Sequence, residues 1–439
     1  MSLAGGVPLA GEGPLPGSDQ LAVAGRPAGV VLPLLRRGRW HQSLDQVPLP
    51  GGGRLSVAPD ILIRADARWA GDQPRVTMSR AERLRLLRAA WQAFATGTVD
   101  CGPAGRQDAA AFGQQLWHIA GYPRCLTTRW IAMLGACPGG FSPWNPLAPD
   151  RSDRPLAGPR DRDGLTLVAL PGNTFTCLEA VLAGCLAGEA VWVRPSSREP
   201  VSAFRLVGAL LDAGWPAHLL GLYPTGWAGL RTLVQVTRRQ VIYGGPGVAA
   251  AFAGYPGAEV RGPVRALAIV AAGADPDQAA GALAPLVAAD AGRFCTSVRT
   301  IVCLADPAPV ADALARRLDA ISLFPADPAL PQCAWPDREQ AAAIAARITA
   351  HEAAPGADAA TAPRRVTSRP VLTTAGPLTY LAPTLLSWRL PPGAPGGWTG
   401  AHPLAGLEMP FPFATITGGS AAQAAAFSAA AGVTHHIGN

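Results

Sequence analysis

Five apolar runs between Leu165 and Val270 do most to limit what this chain can fold into. Leu165–Leu170, Ala190–Arg194, His218–Tyr223, Gln240–Tyr243 and Ala266–Val270 each read as a short buried strand. Helical stretches separate them: Thr176–Ala187, Val201–Ala213 stopped by Gly214, one near Trp227–Val234 and one near Val248–Ala253. Parallel strands need a long crossover between them, and helices of this length supply it. The alternation predicts an α/β fold with a doubly wound parallel sheet covered on both faces. Ligands of such sheets gather at the carboxyl ends of the strands.

The theme resumes downstream. Asp277 is expected to cap an Ala-rich helix reaching about Asp290, Val298–Leu304 reads as a strand, a helix follows near Val310–Leu318, and Asp337 opens another towards Ile348. The first 78 or so residues are rich in Gly and Pro, with strands expected at Val30–Leu35 and Arg54–Ile63. Ser79 and Glu82 read as a capping box for a helix with Leu84, Leu87, Trp91 and Phe94 on one face and Gly97 at its end. Pro138–Asp163 and Ala353–Arg365 read as loops. Four regions follow: an irregular and helical N-terminal region (1–160), a first α/β domain (161–262), a second α/β domain (263–415) and a C-terminal segment (416–439).

Composition removes several function classes. With 49% hydrophobic and 15% charged residues the chain has ample core and is not disordered. Its formal net charge is +7, carried entirely by arginine, since no lysine occurs. Any role usual for a lysine ammonium therefore falls to arginine. The positive balance favours a polyanionic ligand such as a phosphorylated cofactor, coenzyme A or an acidic protein. No basic run alternates with aromatics, so nucleic acid is not an expected partner. Eight cysteines without a CxxC pair form neither a disulfide framework nor a zinc site. The N-terminus does not resemble a signal peptide, and Glu189 breaks the apolar run Ala180–Val193. No membrane span and a cytoplasmic location are expected.

Two short segments can carry chemistry. In Gly292–Arg293–Phe294–Cys295–Thr296 a tight glycine turn would surround a cysteine with backbone N–H donors, lowering its pKa and favouring the thiolate. The alternative is a cysteine used as a small buried hydrophobe. In Pro171–Gly172–Asn173–Thr174, between a strand and a helix, the Asn173 amide can donate to an oxyanion together with the nucleophile's own N–H. The alternative is an asparagine that caps the helix. Three further turns end strands: Arg194–Ser197, Tyr223–Gly226 and Tyr243–Gly247. Gly-rich turns leading into helices bind phosphates.

In this order the segments resemble the aldehyde dehydrogenase superfamily over about Leu165 to Phe413. The family's "GNxVVxKPSxxTP" is similar to Ala187–Pro200 (AGEAVWVRPSSREP), and its "GQxCxxxxRxxV" to Gly292, Cys295, Arg299 and, one residue late, Val302. Its "ePTLL" is similar to Ala382–Leu386 and its "ExFGP" to Glu408–Pro412. Within the superfamily the chain is most similar to the fatty acyl-CoA reductases of bioluminescence operons, through Gly172–Asn173, Ser196–Ser197, Tyr243–Gly245 and a tail Gly432–Gly438. The resemblance implies a cofactor domain and a catalytic domain with Cys295 in the cleft between them. It implies Cys295 as nucleophile and Asn173 as oxyanion donor. Arg194, Ser196, Ser197, Gly226, Gly244, Gly245 and Glu408 would hold NADPH or NADH.

Three departures shape the expected reaction. Arg261 aligns with the family's water-activating Glu, with Glu259 two residues away as the other candidate base. Ser197 replaces a ribose-binding carboxylate, which admits NADPH, with Arg194 or Arg198 to pair a 2′-phosphate. The chain also ends at Asn439, ahead of the family's usual oligomerisation segment, so a homo-oligomer stays open. The reaction expected is reduction of an acyl thioester to an aldehyde through S-acyl-Cys295. Acyl-CoA or an acyl-carrier protein would be the donor and coenzyme A the leaving group or co-substrate. The alternatives are oxidation of an aldehyde to an acid, and a non-catalytic scaffold.

Overall fold

Burial on both faces makes the apolar runs strands. The computed structural model describes residues 30–73, 78–135, 164–262, 264–352, 363–376, 378–390, 397–398 and 401–438. The loop expected at Pro138–Asp163, and 353–362 of the one expected at Ala353–Arg365, lie outside them.

Seven strands form the first sheet: β1 (Leu34–Arg36), β2 (Arg39–His41), β3 (Leu165–Ala169), β4 (Ala190–Arg194), β5 (Leu220–Leu222), β6 (Arg239–Tyr243) and β7 (Ala258–Arg261), in the order β7-β6-β3-β4-β5-β1-β2. β3 to β7 are mutually parallel, and the β1–β2 hairpin pairs antiparallel at one edge. All of β3 is buried, as two-sided cover requires. The chain runs outward through β3, β4 and β5, then returns to the other flank of β3 with β6. The carboxyl ends of β3 and β6 therefore border the switch point, where such sheets bind ligands.

One face of this sheet is covered by helices α2 (Arg80–Thr96), α3 (Ala109–Ala120), α4 (Arg124–Gly135), α5 (Glu179–Ala187) and α6 (Val201–Asp212). The other carries α1 (Asp60–Gly71), α7 (Trp227–Val236) and α8 (Pro246–Phe252). A second, six-stranded sheet follows: β8 (Ala266–Val270), β9 (Thr300–Cys303), β10 (Arg364–Arg365), β11 (Thr384–Ser387), β12 (Phe413–Gly418) and β13 (Val433–Ile437), in the order β10-β11-β12-β9-β8-β13. Its strands are parallel except β10. Helices α9 (Pro276–Ala288) and α10 (Ala308–Asp319) pack on one face and α12 (Ala421–Ser428) on the other, with α11 (Arg338–Glu352) beside β11 and β12. The molecule is α/β, as the alternation predicts.

Some expectations are corrected. Arg54–Ile63 is not one strand: Arg54–Ser56 is extended, and α1 starts at Asp60 behind Pro59, with Asp60 placed against the positive end of the helix. Val30–Leu35 splits, since Val31–Leu32 pairs with Arg54–Leu55 whereas β1 joins the first sheet. Asp275, not Asp277, caps α9, accepting from the Gln278 N–H at 2.8 Å; Pro276, with its φ preset, takes the first helical position. Ser79 caps α2 by accepting from the Glu82 N–H at 3.2 Å, one half of the expected box. No helix among the described residues is long and apolar enough to cross a membrane.

Candidate active site

The Cys295 turn joins α9 to β9 and is held in a conformation that L-residues avoid. Asp290, Ala291 and Gly292 have φ of 53°, 55° and 61°. Left-handed backbone costs roughly 1–2 kcal/mol per non-glycine residue, so packing must impose it. Gly292 has no alternative: a Cβ there would stand 2.5 Å from the Pro412 nitrogen. Arg299, fully buried, ties this turn to the segment carrying Glu408. Its guanidinium donates to the carbonyls of Gly292 and Phe294 on one side, and of Met409 (2.9 Å), Phe411 (3.1 Å) and Phe413 (3.3 Å) on the other. The two motifs that resemble the family are thus brought together by one side chain.

Asn173 follows β3 and reaches the same turn. Its Nδ2 donates to the Arg293 carbonyl at 2.6 Å, while its buried Oδ1 accepts nothing among the described residues. The amide has a second hydrogen, so it can brace the turn and still donate to a substrate oxygen. Gly172 is pressed against the next turn, since a Cβ there would stand 2.5 Å from Ser196 Oγ. The Arg293 guanidinium, where the family has Gln, sits 5.0 Å from the ring centre of Tyr122 and 5.5 Å from that of Trp335.

The electrostatics differ from expectation. Burial pushes the Cys295 thiol above its ordinary value and the Glu408 carboxylate adds to this, while the N–H groups of Cys295 and Thr296 and the Arg299 guanidinium act the other way. The expected thiolate-favouring turn is therefore outweighed by desolvation. Burial also raises the Glu408 carboxyl, which Arg299 partly offsets. Glu259 is 45% exposed at its side chain and bound to Arg261 at 2.8 Å and Arg239 at 3.8 Å. Arg261 donates to the Tyr243 hydroxyl at 2.8 Å, and among the described residues its buried Nη2 meets no partner. Beside Arg261 lies Glu179 on α5, which the sequence reading passes over; burial pushes its carboxyl up to about 7. Cys177 lies within electrostatic reach of Glu179, Arg261 and Cys295. Among the described residues no group of three or more His, Cys, Asp or Glu side chains could hold a metal.

Apart from Glu408, which precedes β12 of the second sheet, the cofactor candidates lie at strand ends of the first sheet. Arg194 ends β4 with its guanidinium largely buried, donating to the Thr225 carbonyl at 3.0 and 3.2 Å. Ser196 is buried and accepts from the Arg198 N–H at 3.2 Å, whereas Ser197 and Arg198 are exposed. Gly226 and Gly245 head α7 and α8 with no side-chain cap, and among the described residues nothing lies within 4 Å of where their Cβ atoms would stand. Gly244 is instead packed against Val248.

No protein-family model and no curated protein matches the chain. Solved structures do. γ-Glutamyl-γ-aminobutyraldehyde dehydrogenase from Burkholderia cenocepacia J2315 is similar with a TM-score of 0.69 at 17% identity, covering 91% of this chain and 82% of that one. NAD-dependent aldehyde dehydrogenase from Sinorhizobium meliloti gives 0.66 at 17% identity over 90% and 79%. NADP-dependent glyceraldehyde-3-phosphate dehydrogenase from Bacillus halodurans C-125, solved with NADP, gives 0.64 at 15% identity over 92% and 90%. The fold is that of the aldehyde dehydrogenases.

Proposed function

We propose that this chain is an NAD(P)-dependent aldehyde dehydrogenase that oxidises an aldehyde to an acid through an acyl group carried on Cys295. The observation that carries the reading is the 2.6 Å contact from Asn173 to the Arg293 carbonyl, which seats an amide donor against the nucleophile's turn. The fold and the aldehyde-oxidising and NAD(P)-using relatives add to it.

The residues fit a dinucleotide. Uncapped α7, which has no acid in its first turn, and the open glycines Gly226 and Gly245 leave backbone N–H groups and space for phosphates. Ser197 and Arg198, in the turn after β4, are exposed. Arg194 is committed to Thr225, so Arg198 is the better partner for a 2′-phosphate. NADPH is expected to bind at least as well as NADH in titrations. When bound, the nicotinamide accepts the hydride that the substrate carbon loses.

The Cys295 thiol gives its proton to solvent, its sulfur bonds to the aldehyde carbon as the carbonyl π bond opens, and Asn173 Nδ2 and the Cys295 N–H hold the resulting oxyanion. After oxidation, water attacks the thioester carbon, a carboxylate takes the water proton, and the carbon–sulfur bond breaks to give acid and thiol. Glu259, held by two arginines, is a poor base. Glu179 is the other candidate, since burial holds its carboxyl at about 7, which suits a base at neutral pH. Reduction of an acyl thioester is the second reading, favoured by the guanidinium of Arg261, rather than a carboxylate, at the end of β7. Coenzyme A belongs to that reading alone.

An aldehyde panel with oxidised cofactor, with and without coenzyme A, tests the choice. Acid is expected without coenzyme A, one per cofactor reduced, with Cys295→Ala inert. Turnover confined to acyl-CoA with reduced cofactor would establish the second reading, and no turnover in either direction a non-catalytic chain.

A further inference from the structure

We propose that Trp130, on α4, is a positioning residue for Cys295: its indole N–H anchors the left-handed Asp290, and its ring sets the Cys295 turn against the Asn173 turn. This rests on Cys295 being the nucleophile.

Trp130 is fully buried, and its Nε1 donates to Asp290 Oδ1 at 2.9 Å. Its ring stacks on Phe294, adjacent to Cys295, with centres 6.0 Å apart and planes 24° apart. It also meets Phe175, two residues past Asn173, edge-on at 5.2 Å. One side chain therefore touches both turns, which the Asn173–Arg293 bond joins across 120 residues of sequence. Tyr122 extends the contact: it meets Trp130 edge-on at 5.1 Å, and its hydroxyl donates to the Gly172 carbonyl at 3.3 Å.

The indole N–H has a task that ring packing does not cover. Asp290 and Ala291 are the two non-glycine residues of the left-handed run, and such a run persists only when its surroundings over-determine it. Among the described residues the Asp290 carboxylate meets Trp130 and, at the longer 3.8 Å, Arg129. The Arg129 pair is part-exposed and long, the kind that contributes little. Losing the indole donor should let the turn relax towards ordinary backbone, moving the Cys295 N–H and sulfur away from Asn173.

Three variants of the full chain separate this from simple core packing. Trp130→Phe keeps an aromatic ring and loses the donor. Asp290→Ala loses the acceptor. Asp290→Asn keeps an acceptor oxygen and loses the charge. The substrate-free readout is iodoacetamide alkylation of Cys295 against pH, followed by mass spectrometry. Turnover with aldehyde and oxidised cofactor, and thermal melting, accompany it. Trp130→Phe and Asp290→Ala are expected to lower kcat at least tenfold with KM within about twofold. Both should displace the alkylation profile, while Asp290→Asn stays near wild type and Trp130→Phe combined with Asp290→Ala is no worse than the more damaging of the two alone. Should Trp130→Phe fold poorly, the Asp290→Ala and Asp290→Asn pair decides. Wild-type alkylation profiles in folded Trp130→Phe or Asp290→Ala would overturn the proposal, as would equal damage from Asp290→Ala and Asp290→Asn. Alkylation needs no substrate, so a wild-type protein that oxidises no aldehyde would refute the proposed function and leave this test intact.

Discussion

Two walls of the candidate site are built on opposite plans. The wall carrying Cys295 is over-determined: three left-handed residues, a glycine with no room for a methyl group, and a buried arginine that collects carbonyls from two segments. The wall of strand-end turns is open: Gly226 and Gly245 face empty space, Ser197 and Arg198 are exposed, and the helices behind the glycines have no caps. Under the proposed function the difference suits what each wall would do. Reacting atoms need placement to a fraction of an ångström, which rigid packing provides. A bound dinucleotide needs unused donors, which the open wall retains.

The most severe way to break the rigid wall is to remove Cys295, its proposed nucleophile. Cys295→Ala is expected to abolish turnover and leave cofactor binding intact, and mass spectrometry should find the acyl adduct of the wild type on Cys295. An adduct on Cys177, Cys185 or Cys303 would refute the assignment. Next, Asn173→Ala removes one oxyanion donor, which typically lowers kcat by about 10²–10³. Full activity in that variant would leave Asn173 a brace for the Arg293 carbonyl and nothing more.

A single methyl group sharpens the contrast. Gly292→Ala meets Pro412 at a φ of 61°, so a stability loss above about 2 kcal/mol is expected in thermal or denaturant melts. Gly245→Ala has ordinary φ and empty space, so it should melt like wild type and weaken only cofactor binding, read by titration. Equal melting of the two variants would erase the distinction between the walls. The smallest effect concerns charge. The thiolate is the reactive form, and burial and Glu408 both disfavour it, so Cys295 alkylation should rise with pH around a midpoint above that of an ordinary cysteine, about 8.5. Glu408→Gln removes the negative neighbour and should move that midpoint down; an upward move would show that Glu408 does not act on Cys295 through its charge.

The sheet strands were legible because two-sided burial writes unbroken apolar runs: β4 and β8 lie where the pattern places them. The edge strand β7 was not, because Glu259 and Arg261 alternate with apolar neighbours and leave no run. The helix start at Asp60 was obscured by Ile61–Ile63, whose apolar spacing suits a strand as well. In the site, Cys295 and Asn173 were visible through short local patterns. Tyr122 and Trp130 were not, because nothing near them in sequence marks a partner 50 or 160 residues away. Glu179 was hidden for a different reason: its chemistry comes from burial beside Arg261, which residue identity does not encode.

The Arg299 tie has a consequence for how the molecule breathes. A guanidinium bound to carbonyls of Gly292, Phe294, Met409, Phe411 and Phe413 cannot release one segment without losing part of the pairing of a charge that the other segment still keeps from water. Opening one segment therefore weakens the hold on the other. In native-state hydrogen exchange the amides around Cys295 and those around Glu408 should behave as a single cooperative unit, exchanging together although more than a hundred residues of sequence separate them.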